Sequence, residues 1–293
     1  MTDSKHGLSI LYVAVFLLSL NGLFSKLIPL DAVSVTQLRS VLAALALLGF
    51  ALLRKRALRL RNIKEYIGVY CVGIVLGLHW VSFYHAMQVS TIAIGMLSLF
   101  TYPVITVFLE PLFNKKSIQL SDVFAAVAVF SGIAIMLGDD LNQFDSTAMQ
   151  GVFWGVLSAF LFSIRNILQK YNHPNVASDS LILHQVIAIS FMLILFVDAD
   201  ALQSLESDDW LLLILLGAIS TAMAHSLLSF SLKRIPAKSI AMISCLQPLA
   251  AAGFAWLILD EVPTLGIVVG GLIIVSVAFY ESVTHVGKKI KET

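Results

Sequence analysis

The sequence predicts an all-α integral membrane protein of ten transmembrane helices in a five-plus-five inverted repeat, with both termini cytoplasmic. Three observations predict it. Apolar residues make up 58% of the chain and charged residues 13%, far from the balance of a soluble domain. Lysine and arginine are confined to alternate loops, as a chain threaded back and forth through a bilayer requires. Residues 79 to 98 also align without a gap with residues 225 to 244. His79 meets His225, Tyr84 meets Phe230, Met96 meets Met242 and Ser98 meets Ser244, and one position of slippage brings Tyr102-Pro103 onto Gln247-Pro248. If each half holds five spans, the second begins on the opposite face, and a pseudo-two-fold axis in the membrane plane relates the copies.

A hydrocarbon core about 30 Å thick needs roughly 20 apolar helical residues. Ten segments fit, at about 8–28, 33–53, 65–85, 91–112, 120–137, 151–170, 179–198, 209–232, 239–259 and 263–283. The repeats are then 1–145 and 146–293. The loop after the second span carries Arg54, Lys55, Arg56, Arg59, Arg61 and Lys64, and Lys115 and Lys116 follow the fourth. Lys170 ends the sixth, Lys233, Arg234 and Lys238 surround the turn after the eighth, and Lys288, Lys289 and Lys291 form the tail. The intervening loops hold no Lys or Arg and carry Asp31, Asp139, Asp140, Asp145, Asp200, Glu206, Asp208, Asp209, Asp260 and Glu261. By the positive-inside rule the basic loops and both termini face the cytoplasm. The apolar run from Leu8 lacks a small-x-small cleavage site and is expected to be retained as the first helix. The net charge of +1 points to no nucleic-acid partner, and Cys71 and Cys245, both within spans, form no disulfide framework. Gly73 and Gly77, Gly151 and Gly155, and Gly266 and Gly270 are spaced to let helix backbones approach.

Ionisable side chains deep in a bilayer are costly and mark a partner, a watery cavity or a function. Arg39 lies about 10 Å from the start of span two, at 1.5 Å per residue. Lys26 and Arg165 fall near helix ends, where snorkelling to the interface is the expected explanation. His79 and His225 occupy equivalent positions on antiparallel spans and are expected to straddle the midplane on opposite sides of a central cavity. Proton coupling through them is open. His85 and His184 sit nearer helix ends and read as interfacial. Pro103 and Pro248 fall at the centres of spans four and nine, each leaving a carbonyl unpartnered one turn earlier. Such carbonyls are tolerated beside a cavity, which makes Thr101, Tyr102 and Gln247 natural ligands for a polar solute. Trp80, Phe83, Tyr84, Trp154, Phe160 and Phe162 could supply an aromatic wall. Glu110 is the one carboxylate well within a span, and it falls near the cytoplasmic boundary. A proton-driven pump for quaternary ammonium drugs, which needs a buried acid, is therefore disfavoured. His79 and Ser82 are within reach of each other, but no G-x-S-x-G or H-E-x-x-H surrounds them, so an intramembrane hydrolase has little support.

The stretch Leu246-Gln247-Pro248, followed by Leu257-Ile258-Leu259-Asp260-Glu261, Gly266, Gly270, Leu272 and Ile273, resembles the EamA-type repeat of the drug/metabolite transporter superfamily. In the first half Tyr102-Pro103 and Ser131-Gly132 fit, while Lys115 and Lys116 stand where the family usually has a glutamate. The resemblance implies a ten-helix permease whose cavity is lined by spans one, three, four, six, eight and nine. It also implies export of amino acids and related metabolites without a nucleotide-binding partner. The positions it carries over are Asn21, His79, Tyr84, Thr101, Tyr102, Asn166, His225 and Gln247.

The expectation is an alternating-access permease of a bacterial inner membrane that exports small polar metabolites, with amino acids or related zwitterions leading. Uptake or bidirectional flux of an organic anion or nucleobase-like solute, with Arg39 steering the charge, is the alternative. The substrate-site candidates are Asn21, Arg39, His79, Trp80, Tyr84, Thr101, Tyr102, Asn166, His225 and Gln247, with Pro103 and Pro248 as kinks. No cofactor, metal, nucleic acid or obligatory protein partner is expected, and the chain reads as a monomer in the bilayer.

Overall fold

The computed structural model describes residues 2–55, 58–109, 111–114, 118, 120–138, 146–232, 244 and 246–289. Arg56, Glu110, Lys115, Lys116, Asp139, Asp140, Asp145, Lys233, Arg234, Lys238, Met242, Cys245 and Lys291, all singled out above, lie outside the described residues. Among the described residues the regular secondary structure is all helical.

The first pass is α1 (Thr2–Ser19) and α2 (Asn21–Leu27), the second α3 (Ala32–Leu53) and the third α4 (Ile63–Val89). The fourth is broken into α5 (Ile92–Leu99), α6 (Tyr102–Leu109) and α7 (Pro111–Asn114), and α8 (Leu120–Leu137) closes the first half. In the second half α9 (Thr147–Asn172) is followed by α10 (Ser178–Leu193) with its 3₁₀ extension Ile194–Phe196, and by the short α11 (Ala199–Gln203). The eighth pass joins α12 (Ser207–Leu215), a π-helical stretch (Leu216–Met223) and α13 (Ala224–Leu232). Finally come α14 (Leu246–Leu259) and α15 (Leu265–Lys289). Among the described residues seven helical stretches are long and apolar enough to cross a membrane, and Val123–Leu137, Leu246–Leu259 and Leu265–Val277 are shorter apolar helices.

Local chemistry starts the helices where the loops predict. Asp31 caps α3 by accepting from the Val33 and Ser34 amides at 2.8 and 3.1 Å. Asn62, Thr91 and Ser146 cap α4, α5 and α9 in the same way, and Glu206 with Asp209 forms a capping box at α12. Asp31→Ala is expected to lower stability by about 1 kcal/mol, read as a small fall in the thermal midpoint in detergent.

Glycine lets neighbouring helices close. A Cβ on Gly73 would meet the Ala188 Cβ and the Gln185 Cα at 2.9 Å, and one on Gly77 would meet Met192 at 2.7 Å, so α4 lies directly against the α10 backbone. Gly151 and Gly155 do the same for α9 against Ser90 and Ser98, and Gly266 and Gly270 for α15 against α8. The small-residue pairs thus mark helix contacts, as expected from spacing alone.

One end of the bundle is tied by charge. Lys26 donates to the Ser90 carbonyl at 2.7 Å and faces Glu261 at 3.8 Å, while Glu261 accepts from the Ile92 amide at 3.0 Å. The fold aims that carboxylate through Asp260, whose φ of 55° turns the chain back so that the Glu261 amide reaches the Ala255 carbonyl. Aspartate is among the few non-glycine residues that adopt this conformation at modest cost. Lys26 is therefore clasped rather than free to snorkel. This is the clasp end; the α3–α4 and α9–α10 connections lie at the opposite end, where His184 Nε2 faces the Leu58 carbonyl at 3.0 Å.

Candidate functional site

A cavity of about 360 Å³ lies between the two halves. Span one contributes Asn21 to it, span three His79, Trp80 and Phe83, and span four Met96, Leu99, Phe100 and Tyr102. Span six adds Phe162, Arg165, Asn166 and Gln169, span eight His225 and Leu228, and span nine Ser244 and Gln247. These are the spans that the repeat resemblance implied. Span two joins them through Arg39.

Arg39 is 2% exposed and is held on three sides. Its Nε and Nη2 both donate to Thr221 Oγ1, at 3.1 and 2.9 Å. The guanidinium lies 4.2 Å above the Trp80 ring and 5.1 Å from that of Tyr84, positions where the negative ring faces stabilise a cation. Thr221 belongs to the π-helical stretch, and its hydroxyl donates to the Leu216 carbonyl five residues back at 2.8 Å. The same stretch places Gly217 against the Arg39 carbonyl and the Leu42 side chain. Span eight thereby comes close enough to span two for threonine to grip the guanidinium. π-Helical turns recur at functional sites because they displace a side chain from its regular register.

Arg165 enters from the other half. Its Nη1 donates to Asn166 Oδ1 at 3.1 Å and its Nη2 to Gln185 Oε1 at 2.7 Å, while Gln185 donates onward to Gln169 at 3.2 Å. Its Nε is buried without a partner among the described residues. The expectation that Arg165 snorkels to an interface is corrected here. α9 runs to Asn172 rather than ending at 170, and Gln185 of α10 bonds both Arg165 and Gln169, so the guanidinium is turned inward to the cavity. No carboxylate among the described residues pairs with Arg39 or Arg165, and none lines the cavity. Every ionisable side chain on the described lining except Tyr102 is basic.

His79 Nδ1 faces the Ser158 carbonyl at 3.0 Å and the Ser158 hydroxyl at 2.7 Å, and that hydroxyl donates back to the His79 carbonyl at 3.1 Å. A carbonyl can only accept, so Nδ1 carries the proton and Nε2 is left as the ring's acceptor. The imidazole stacks on Phe162 at 4.7 Å, and His225 lies 6.0 Å from the Trp80 ring. Ser82 spends its hydroxyl on the Leu78 and His79 carbonyls of its own helix, so the ring and this serine are not joined.

The candidates part company in two places. Asn21, Arg39, His79, Trp80, Tyr102, Asn166, His225 and Gln247 line the cavity, whereas Tyr84 and Thr101 stand behind it. Tyr84 is fully buried and donates to Asn21 Oδ1 at 3.1 Å, fixing that amide at the cavity wall. The Thr101 hydroxyl bonds the Ser98 carbonyl at 2.8 Å, bridging the break in span four. Of the aromatic wall, Trp80, Phe83 and Phe162 face the cavity, while Trp154 packs on His85 and Phe160 is 41% exposed. One proline differs from expectation. Pro103 follows the break at Phe100–Thr101 as the second residue of α6. There a missing amide hydrogen costs little, so span four restarts at its proline instead of kinking through it. His184, at the end opposite the clasp, packs against Tyr66 and Tyr70. Arg165, Gln169, Ser244 and the anchor Thr221 were not among the sequence candidates; for Arg165 the available signal was its charge beside Asn166.

The model of the EamA-like transporter family matches this chain twice, over residues 5–138 and 149–280. The chain belongs to the EamA-like transporter family. It is a multi-pass membrane protein of the drug/metabolite transporter superfamily. Two Bacillus subtilis (strain 168) proteins are similar to it. "Uncharacterized transporter YxxF" is 23% identical over 83% of this chain and 77% of its own. "Uncharacterized transporter YoaV" is 20% identical over 84% of this chain and 85% of its own. A solved crystal structure shares the fold, with a TM-score of 0.64 at 16% identity over 96% of this chain and 98% of that one.

Proposed function

We propose that this EamA-like transporter moves a small organic anion through the cavity by alternating access, with repeats 1–145 and 146–293 rocking about spans four and nine. The observation that carries the reading is the pair of guanidiniums on the cavity, buried Arg39 and half-buried Arg165, without a carboxylate partner among the described residues. An uncompensated buried cation is a cost to folding, and a solute carboxylate bonded to a guanidinium relieves it. Amino-acid export, the reading that led from sequence, keeps support from the amide groups of Asn21, Asn166 and Gln247, which can accept from an ammonium. It is second because the described lining offers that ammonium no acid. The basic loops put the clasp end outside and both termini in the cytoplasm of a bacterial cell. The protein works as a monomer without cofactor or nucleic acid.

The test is counterflow in proteoliposomes preloaded with a mixed pool of organic acids, amino acids and nucleobases, compared with protein-free vesicles and a His79/His225 double-alanine variant. Selective exchange of organic anions, lost in the variant, is the expected result. Exchange confined to amino acids would establish the second reading, and no exchange from folded, monodisperse protein would count against both.

A further inference from the structure

We infer that the cavity takes a solute with two separated acidic groups on a short carbon skeleton, one for Arg39 and one for Arg165. The inference rests on the organic-anion reading and narrows it. Two cations face one enclosed space and neither has a carboxylate among the described residues. A monoanion leaves one of them uncompensated in a low-dielectric site, whereas a dianion neutralises both.

Position separates the two charges. Arg39 lies seven residues into α3, counted from the clasp end, and Arg165 seven residues before the end of α9 at the opposite end. At 1.5 Å per residue each backbone is about 10 Å from its own helix end, so the guanidiniums enter the cavity from opposite sides. Their anchors are equally separate: Thr221 of span eight for one, Gln185 of span seven for the other. Each keeps donors in reserve. Among the described residues Arg39 gives only Nε and Nη2, and Arg165 only Nη1 and Nη2, out of the five N–H groups a guanidinium carries. The rest of the lining includes the apolar side chains of Phe83, Met96 and Leu99, which suit methylene groups rather than a third charge. A single phosphate concentrates both charges on one head and cannot serve two sites approached from opposite ends.

The experiment is counterflow of radiolabelled succinate by the full chain in proteoliposomes at neutral pH. Malonate, succinate, glutarate, adipate, butyrate, glycerol 3-phosphate and alanine serve as exchange partners. A dicarboxylate is expected to exchange roughly tenfold or more faster than butyrate. Arg165→Gln is expected to lower dicarboxylate exchange to no more than the rate that butyrate shows in the wild type. Thermal protection of the wild type by succinate over butyrate gives the same comparison without a variant. Butyrate matching every dicarboxylate would overturn the two-group inference and leave the anion reading standing. Glycerol 3-phosphate surpassing the dicarboxylates would overturn the separation of the charges. Exchange of alanine alone would overturn both readings.

Discussion

Arg39→Met is expected to abolish anion exchange and to leave the protein at least as stable as the wild type. Hydrogen bonds to charged groups are worth about 1.5–3 kcal/mol each, so a guanidinium that loses its bonds to a bound carboxylate costs at least about a hundredfold in affinity. Stability moves the other way. The folded state holds this side chain 2% exposed, with one threonine oxygen and two aromatic rings as partners and no carboxylate among the described residues. Cation–π contact returns about 2 kcal/mol at best, against an effective desolvation penalty of several kcal/mol for a buried ion. Methionine keeps the unbranched stem against Trp80 and Tyr84 and removes the charge. Counterflow and the thermal midpoint measured on the same preparation check both halves. A midpoint that falls by many degrees would mean that Arg39 is structural, and retained exchange would remove it from the pathway.

Gly73→Leu is expected to destabilise the bundle by about 3 kcal/mol, the upper part of the range for overpacked cores. The first added carbon meets the Ala188 Cβ and the Gln185 Cα at 2.9 Å and the Gln185 carbonyl oxygen at 3.0 Å. Two of those three atoms are backbone and cannot rotate away, so α4 and α10 must separate. Their parting opens the cluster of Leu76, Ile189 and Val186 and draws Gln185 off Arg165, so exchange falls along with stability. Gly49 is the control. Nothing lies within 4 Å of its Cβ position, and Gly49→Ala in mid-helix is expected to gain about 0.5–1 kcal/mol. Unfolding midpoints of the two variants in one detergent decide the matter; a Gly73→Leu protein as stable as the wild type would show that the two helices are free to slide.

Much of this protein follows from patterns one residue deep. Apolar runs fix helical passes because a backbone in lipid must satisfy its own hydrogen bonds. Asp31, Asn62, Thr91 and Ser146 start helices through atoms two or three residues away, and glycines four apart mark contacts because only the missing Cβ matters. The pairing of His79 with His225 brought both to one cavity, since a repeat carries position as well as residue type. Side-chain direction is another matter. Tyr84 and Thr101 stand on cavity-lining spans yet turn away from it, a difference of one helical step that a span boundary uncertain by two residues cannot resolve. Arg165 looked peripheral until α9 ran on past Lys170 and Gln185 of another span took its guanidinium. Thr221 became the anchor of Arg39 only because a π-helical stretch, which has no sequence signature of its own, widened the turn beside Gly217. The sequence by itself thus determined that the chain is apolar and helical, that it repeats, and which polar residues its apolar stretches carry. The tertiary structure alone decided which of those residues face one another, because partners chosen across helices depend on rotation and closeness that no local pattern encodes.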